Sequence, residues 1–173
     1  RSLSLSAMAS PFRHRPSLDE FNARNVDSAV GNLGIVFTEQ GEDFLRGTMP
    51  VDQRTKQPYG LLHGGSSVLL AETLGSFAAN LCMDPADGQM VGLEINANHL
   101  RAITGGTVTG TARPLHVGRS TQVWDIRIED EQGRAVRYPV GVGRAGKQWA
   151  GTTRIDGKYT NPAWSPPAEV KRD

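Results

Sequence analysis

Alternating apolar and polar residues predict that much of the chain forms β-strands. Residues 33–39 and 43–49 predict two strands, and residues 40–42 between them predict the turn of a hairpin. Residues 18–30 predict a short helix instead. Further strands with the same alternation are predicted at residues 90–101, 120–129 and 135–142. Residues 106–117 predict a Thr- and Val-containing strand that is broken by Pro114.

The pattern within three of these strands also predicts their surroundings. In residues 90–101 one face collects the apolar side chains and is expected to be buried: Val91, Leu93, Ile95 and Ala97. Residues 120–129 carry an equivalent face made of Trp124, Ile126 and Ile128. Pro139 lacks the N–H that a strand interior needs, so residues 135–142 are predicted to lie at a sheet edge or a bulge.

Residues 66–83 differ from the strands because their apolar residues cover nearly the whole circumference of a helix. A helix that is apolar all round is typical of a buried element. Gly64 and Gly65 precede it, and Ser66 or Ser67 is predicted to cap its N-terminus. Strands before and after one long helix predict an α+β fold, in which an antiparallel sheet wraps round that buried helix.

The two ends of the chain differ in composition from the middle and set the predicted domain boundaries. Residues 1–16 contain three Arg and no acidic residue. That composition is typical of a transit peptide, but we expect a disordered extension that is an appended remnant or upstream read-through. Residues 144–173 hold three prolines and no visible period, which predicts an irregular tail. The folded domain is therefore expected over residues 17–143.

Composition argues against several classes of protein. A length of 173 residues with 38% hydrophobic residues suits one globular domain, and a net charge of +1 gives no support for a nucleic-acid binder. No apolar run is long enough to predict a membrane span. The single cysteine, Cys82, excludes an internal disulfide and a Cys-rich zinc site, and it suits a reducing, cytoplasmic location. No His or carboxylate spacing predicts a metal site, and no cofactor is expected.

One acidic residue, Glu72, lies inside the apolar helix. Burying a carboxylate without a partner is costly, so a lone buried acid is either a structural ion pair or a functional residue. Ser76 follows four residues later on the same helix face, within reach of the carboxylate. His63, Gly64 and Gly65 lie just before the predicted helix, where free N–H groups stabilise developing negative charge as in an oxyanion hole.

The separation of these two groups constrains how they act together. Gly64 and Glu72 are eight residues apart, which is about 12 Å along a helix. One carbonyl carbon cannot lie about 3 Å from both groups within one chain. If both serve one reaction, Glu72 must come from the helix of a second subunit. The sequence therefore predicts a symmetric dimer with two sites at its interface.

Three segments of the chain resemble hotdog-fold acyl-CoA thioesterases. They are MPVDQRTKQPYGLLHGGSSVLLAETLGS, VGLEINANHLR and PLHVGRSTQVW, and the similarity covers about residues 17–138. The chain is most similar to the aryl- and acyl-CoA thioesterases of menaquinone synthesis and enterobactin proofreading, and 4-hydroxybenzoyl-CoA thioesterases share the plan. The residues that carry the resemblance by their type and spacing are Gln57, His63, Gly64, Glu72 and Ser76.

The resemblance implies hydrolysis of an acyl-CoA or aryl-CoA thioester to the free acid and CoA, with no metal or redox cofactor. It implies that Glu72 is the catalytic carboxylate, acting as nucleophile or as general base on water, with Ser76 assisting it. The Gly64 N–H of the partner chain would polarise the thioester carbonyl, beside Gln57 and His63. The family plan also implies a sheet that continues across two subunits, and dimers that pair into a homotetramer.

The charge distribution bears on how the chain would bind the CoA phosphates. Residues 17–143 hold 10 basic and 15 acidic residues, so this segment carries −5 and its few cations must be placed locally. The resemblance implies that His99 and Arg101, at the end of a predicted strand, contact the phosphates. Arg119, in a glycine turn, is a weaker choice for the same role.

Two other functions remain as alternatives. A hotdog-fold dehydratase or hydratase would need a His and an acid that converge in one active site, and the Gly64–Glu72 arrangement matches the thioesterase plan better. A non-catalytic acyl-CoA-binding module has no need of the acid, so the presence of both Glu72 and Gln57 argues against it.

Overall fold

The computed structural model of the protein describes residues 10–138 and 140–144. Its first elements are two short helices, α1 (Leu18–Arg24) and α2 (Ala29–Asn32), and two antiparallel strands, β1 (Val36–Gln40) and β2 (Leu45–Pro50). The predicted hairpin is therefore confirmed. The single helix predicted over residues 18–30 is two helices, because the Ser28 hydroxyl accepts a hydrogen bond from the Val30 N–H and caps a new helix.

The remaining elements are one long helix and the rest of a single sheet. The helix is α3 (Gly64–Leu81), and a 3₁₀ turn follows at Pro85–Asp87. The later strands are β3 (Met90–Glu94), β4 (Asn98–His99), β5 (Thr107–Val117), β6 (Thr121–Glu129), β7 (Ala135–Tyr138) and β8 (Val140–Arg144). All strand pairings are antiparallel, and β1, β2, β5 and β6 are neighbours in that order. On its other side β6 pairs with β7 and with β8. Strand β7 then pairs with β4, and β8 pairs with β3. The predicted α+β fold is confirmed.

Helix α3 packs closely on the sheet because two strand glycines leave room for its leucines. Gly47 of β2 and Gly110 of β5 are direct cross-strand partners. A Cβ atom would lie 3.1 Å from the Leu74 side chain at Gly47 and 2.5 Å from it at Gly110. Leu70 and Leu74 are fully buried, and none of the helix residues from 66 to 81 is exposed. The predicted buried helix is thus confirmed.

Strand β6 presents the buried face that its alternation predicts. The three apolar side chains on that face have no exposed surface: Trp124, Ile126 and Ile128. Residues 1–9, Pro139 and residues 145–173 lie outside the described residues. The predicted tail after Arg144 and the predicted effect of Pro139 therefore lie outside them as well.

The segment before α1 packs against the body of the domain. Phe12 is buried, and its ring stacks on Trp124 with the ring centroids 6.2 Å apart. The Arg13 N–H donates a hydrogen bond to the Leu81 carbonyl at 2.8 Å, at the end of α3. Residues 10–16 are thus part of the packed domain, which differs from the disordered extension expected over residues 1–16.

The strand predicted at residues 90–101 departs most from expectation. It forms two short strands, β3 and β4, and within the described residues β3 pairs only with β8. Val91 and Leu93 are 46% and 51% exposed, whereas Met90 is buried. Within the described residues, Val91 and Leu93 on the apolar face are therefore open, whereas Ile95 on that face packs against the core. Alternation shows that the two faces of a strand differ, but it does not identify what covers the apolar one.

Candidate active site

His63 is the N-cap residue of α3. The Gly65 N–H donates a hydrogen bond to Nδ1 of His63 at 2.8 Å, and the Ser66 N–H donates to the His63 carbonyl at 3.0 Å. The predicted cap by Ser66 or Ser67 is therefore wrong. Serine is the commoner capping residue, but the helix begins two residues earlier than expected, and His63 occupies the extended position before it.

The loop before α3 is fixed by backbone hydrogen bonds. The Leu62 N–H donates to the Ile103 carbonyl at 2.7 Å, which ties the loop to the segment after β4. The Gln57 N–H donates to the Leu61 carbonyl at 2.8 Å, which closes the loop on itself. These bonds hold Gln57 and His63 in defined positions beside the helix start.

A cavity of about 510 Å³ opens beside the first turn of α3. Four of the predicted site residues contribute to its wall: Gln57, Gly64, His99 and Arg101. The rest of the wall is formed by Leu61, Leu62, Ser67, Leu100, Ala102 and Val136. Residues that are more than forty positions apart in the sequence therefore meet at one place, as a binding site for a single substrate requires.

His99 lies directly against the glycine at the helix start. A Cβ atom built at Gly64 would lie 2.8 Å from Nε2 of His99, so the glycine lets the ring approach the helix backbone this closely. His99 is therefore at the Gly64 end of the cavity. Arg101 lies two residues further along the chain and is exposed, so its guanidinium is accessible to a ligand outside the domain.

The Glu72 carboxylate lies one turn before Ser76 and is held by it. The Ser76 hydroxyl donates a hydrogen bond to Oε1 of Glu72 at 2.7 Å, as their spacing predicts. The carboxylate also lies on β3, where a Cβ atom at Gly92 would be 2.1 Å from Oε1. Gly92 was not among the predicted site residues. A glycine inside a strand pattern is a signal of close approach by another group, and it was available here.

The structure does not bring Glu72 to the cavity beside Gly64. Both residues belong to α3, and Glu72 is absent from the wall of that cavity. Since eight residues separate them, they lie about 12 Å apart along the helix axis. A single chain therefore contains both groups without placing them on one substrate atom.

Arg119 lies apart from the other predicted site residues. It lines a second cavity, of about 320 Å³, near the C-terminal end of α3. Arg13, Asp84 and Asp87 share that cavity, so its charged groups are of both signs. Within one chain, Arg119 and Arg101 therefore face different cavities.

Comparison with known proteins identifies the family. The model of the thioesterase superfamily matches residues 59–137. The proofreading thioesterase EntH of Cronobacter sakazakii is 53% identical over 124 residues, which are 71% of this chain and 89% of that protein. The 1,4-dihydroxy-2-naphthoyl-CoA hydrolase of Escherichia coli is 51% identical over 123 residues, which are 71% of this chain and 90% of that protein. The chain belongs to the thioesterase superfamily.

A solved structure supports this assignment. The crystal structure of a mutant thioesterase from Pseudomonas aeruginosa is 47% identical, with a TM-score of 0.75. The match covers 77% of this chain and 96% of that one. The resemblance to hotdog-fold thioesterases and the expectation of a thioesterase are thus confirmed.

The single cysteine of this thioesterase is unsuited to nucleophilic attack. Cys82 is buried, and burial raises the pKa of its thiol to about 12. Its Sγ donates a hydrogen bond to the Ala78 carbonyl at 3.4 Å. Because the thiolate is the nucleophile, a thiol with so high a pKa is a packing group.

The described part of the chain holds neither a metal-binding cluster nor a membrane-spanning helix. It contains no group of three or more His, Cys, Asp or Glu side chains arranged to hold a metal ion. Its helices include none with the length and apolar content that a bilayer crossing requires.

Proposed function

We propose that this thioesterase hydrolyses an acyl-CoA or aryl-CoA thioester to the free acid and CoA. The observation that carries the proposal is that α3 holds two different functional groups. The Glu72 carboxylate, held by Ser76, lies in the middle of the helix, and the Gly64 N–H lies at its start beside a cavity. An acyl-transfer site needs both a group that attacks and a donor to the carbonyl oxygen.

In the proposed reaction the Gly64 N–H donates to the thioester carbonyl oxygen, where negative charge develops. Glu72 either attacks the carbonyl carbon or removes a proton from a water molecule that attacks it. The carbon–sulfur bond then breaks, and CoA leaves as the thiolate. In the first case water hydrolyses the resulting anhydride and restores the carboxylate, so both routes consume one water molecule. Gln57 and His63 line the site beside the carbonyl.

We further propose that Glu72 acts on a substrate held by Gly64 of a partner subunit. Strand β3 supports this dimer, because it pairs on one side only within the described residues and exposes Val91 and Leu93. An unpaired edge accepts a strand from a second chain, and a two-fold axis would then give two equivalent sites. Pairing of two dimers into a homotetramer is the family plan, and it remains part of the proposal.

The nucleotide end of CoA is proposed to bind near Arg101. The exposed guanidinium on the cavity wall supports this, since Arg forms strong hydrogen bonds to phosphate. His99 was expected to bind the phosphates too, but its contact with Gly64 favours a position nearer the thioester. Arg119 reaches a CoA phosphate only if another protomer brings its cavity to the site. A cytoplasmic location, where CoA thioesters and free thiols occur, completes the proposal.

A thiol-release assay tests the reaction. Purified protein is mixed with benzoyl-CoA or a medium-chain acyl-CoA, and free CoA is measured. Glu72→Gln is expected to lower kcat by roughly 10²–10⁴-fold, because it removes the charge but keeps the shape, while calorimetry still detects substrate binding. Full activity in Glu72→Gln would overturn the role of Glu72. Binding without hydrolysis by the wild type would favour the non-catalytic module, and hydration or dehydration of an acyl chain would favour the hydratase.

The dimer is tested by mixing two inactive variants. Gly64→Pro removes the N–H at a helix position where proline is tolerated, and the extended His63 before it suits a following proline. Gly64→Ala is the matched control, because it introduces the same Cβ but keeps the N–H. Refolding Gly64→Pro together with Glu72→Gln should restore about a quarter of wild-type activity, since half of the dimers carry one intact site. No recovery would contradict a site shared between subunits.

A further inference from the structure

His63 determines which N–H group at the start of α3 stays free. A helix start leaves four N–H groups without partners inside the helix. Here the His63 N–H donates to the Thr55 carbonyl at 2.8 Å, the Gly65 N–H to Nδ1 of His63 at 2.8 Å, and the Ser66 N–H to the His63 carbonyl at 3.0 Å. Among the described residues no acceptor pairs with the fourth group, the Gly64 N–H.

The capping bond fixes the tautomer of the neutral imidazole ring. The Gly65 N–H can only donate, so Nδ1 of His63 must accept, and the proton of the neutral ring is on Nε2. The ring also needs the space that Gly65 provides, because a Cβ atom there would lie 3.0 Å from Nδ1. The two consecutive glycines therefore have different uses: Gly65 accommodates the capping ring, and Gly64 carries the free N–H.

On the basis of the proposed function, we propose that His63 is a positioning residue that acts through Gly64. Without the cap, the N–H groups of Gly64 and Gly65 would both be open at the helix start. A substrate carbonyl oxygen could then accept from either N–H group and would bind in more than one position. With Nδ1 engaging the Gly65 N–H, the oxygen has one backbone donor and one place to bind. Such preorganised donors lower the barrier because they need no rearrangement during the reaction.

The competing role for His63 is direct contact of its Nε2 with the substrate. Substitution of His63 by Asn or by Gln distinguishes this role from the positioning role. In His63→Asn the side-chain oxygen occupies the place of Nδ1, so the cap is kept and the outer nitrogen is lost. In His63→Gln the polar atoms reach the place of Nε2, and the atom in the place of Nδ1 is a carbon. The two variants thus preserve opposite halves of the imidazole ring.

The positioning role predicts that His63→Asn loses less kcat for benzoyl-CoA than His63→Gln does. His63→Gln is expected to lose roughly 10–100-fold in kcat, which is part of the roughly 10²–10³-fold that a whole oxyanion donor contributes. His63→Ser, which also caps, should follow the Asn variant. The reverse order, with Gln active and Asn inactive, would overturn the proposal, and so would equal losses or two fully active variants.

Hydrogen exchange of the backbone amides tests the cap without relying on activity. The Gly65 amide is expected to be protected in wild type and in His63→Asn, and to exchange at least tenfold faster in His63→Gln. The Gly64 amide is expected to exchange rapidly in all three proteins. If this pattern holds but no thioester is hydrolysed, the proposed function fails and the cap stands. If the Gly65 amide is equally protected in all three, the positioning role of His63 is wrong whatever the activity.

Discussion

The two ends of α3 differ in whether another part of the chain covers them. At the C-terminal end, the Arg13 N–H donates to the Leu81 carbonyl at 2.8 Å, and the His14 ring contacts the Met83 carbonyl. At the N-terminal end, Gly64 lines a cavity of about 510 Å³, and its N–H has no acceptor among the described residues. One end of the helix is sealed by another part of the chain, and the other is open.

The difference shows which end is arranged for stability and which for chemistry. Polar groups at both ends of any helix lack partners inside it, and leaving them unpaired has a cost. The chain removes that cost at one end by laying residues 10–16 across it. At the other end it leaves one donor available to a ligand. Substitutions at the sealed end should therefore change stability, and substitutions around the open end and Glu72 should change activity.

Among substitutions that test the difference between the two helix ends, Phe12→Ala is expected to have the largest effect, and that effect is on stability. The side chain is 7% exposed and stacks on Trp124, so its removal should lower the free energy of unfolding by about 3 kcal/mol. Urea unfolding measures this change, and kcat at low temperature should stay at the wild-type value. Val26→Ala is the control, because Val26 is 63% exposed and its loss should change stability little. A large fall in kcat with no change in stability would contradict the assignment of the C-terminal end of α3 to stability.

Gly92→Ala should affect activity next most strongly. The added methyl group would meet the Glu72 carboxylate, whose Oε1 lies 2.1 Å from the position of the new Cβ. A displacement of about 1 Å in a reacting group can lower a rate by about 10²-fold, so kcat should fall by up to that amount with KM little changed.

A matched control and a double variant show whether Gly92 acts through Glu72. Gly105→Ala introduces the same methyl group where nothing lies within 4 Å, and it should be neutral. Glu72→Asp shortens the acid and removes the clash. Gly92→Ala should therefore cost far less activity in a Glu72→Asp background than in wild type. Additive losses would mean that Gly92 acts independently of the carboxylate.

The smallest effect is expected from a pair of arginines, one in each cavity. Arg101→Ala should raise KM for benzoyl-CoA by about tenfold and leave kcat unchanged, because a charged hydrogen bond to phosphate contributes to binding far from the reacting carbon. Arg119→Ala, in the cavity at the sealed end, should raise KM less. Steady-state kinetics measure both. An equal rise would indicate that the second cavity meets the substrate of a neighbouring protomer.

The sequence predicts those parts of the fold that depend on local pattern. The alternation of Trp124, Ile126 and Ile128 correctly predicts a buried strand face, because the three strands that pair with β6 and the helix beneath it belong to the same chain. Glu72 stands out because a carboxylate in an apolar helix conflicts with its surroundings, and Ser76 is found by helical spacing alone. Features of this kind need no knowledge of distant contacts.

The sequence is less informative where a distant or external contact decides the outcome. Phe12 lies in a short, Arg-rich segment, and its stacking on Trp124 follows from tertiary packing that local pattern does not record. Val91 and Leu93 alternate like buried residues but are exposed in one chain, since strand pattern predicts an apolar face without identifying its partner. His63 is a rarer capping residue than serine, so propensity favours the wrong cap.

The edge of β3 that pairs with no strand in the described part of the chain also matters for a newly synthesised chain. Until something pairs with that edge, its peptide groups and the side chains of Val91 and Leu93 are open to any extended segment that meets them. Whether that segment belongs to an identical chain or to a misfolded one is then a question of relative concentration and encounter rate. Assembly with an identical chain and aggregation both depend on concentration, so this edge has to be paired before exposed segments of other chains reach it.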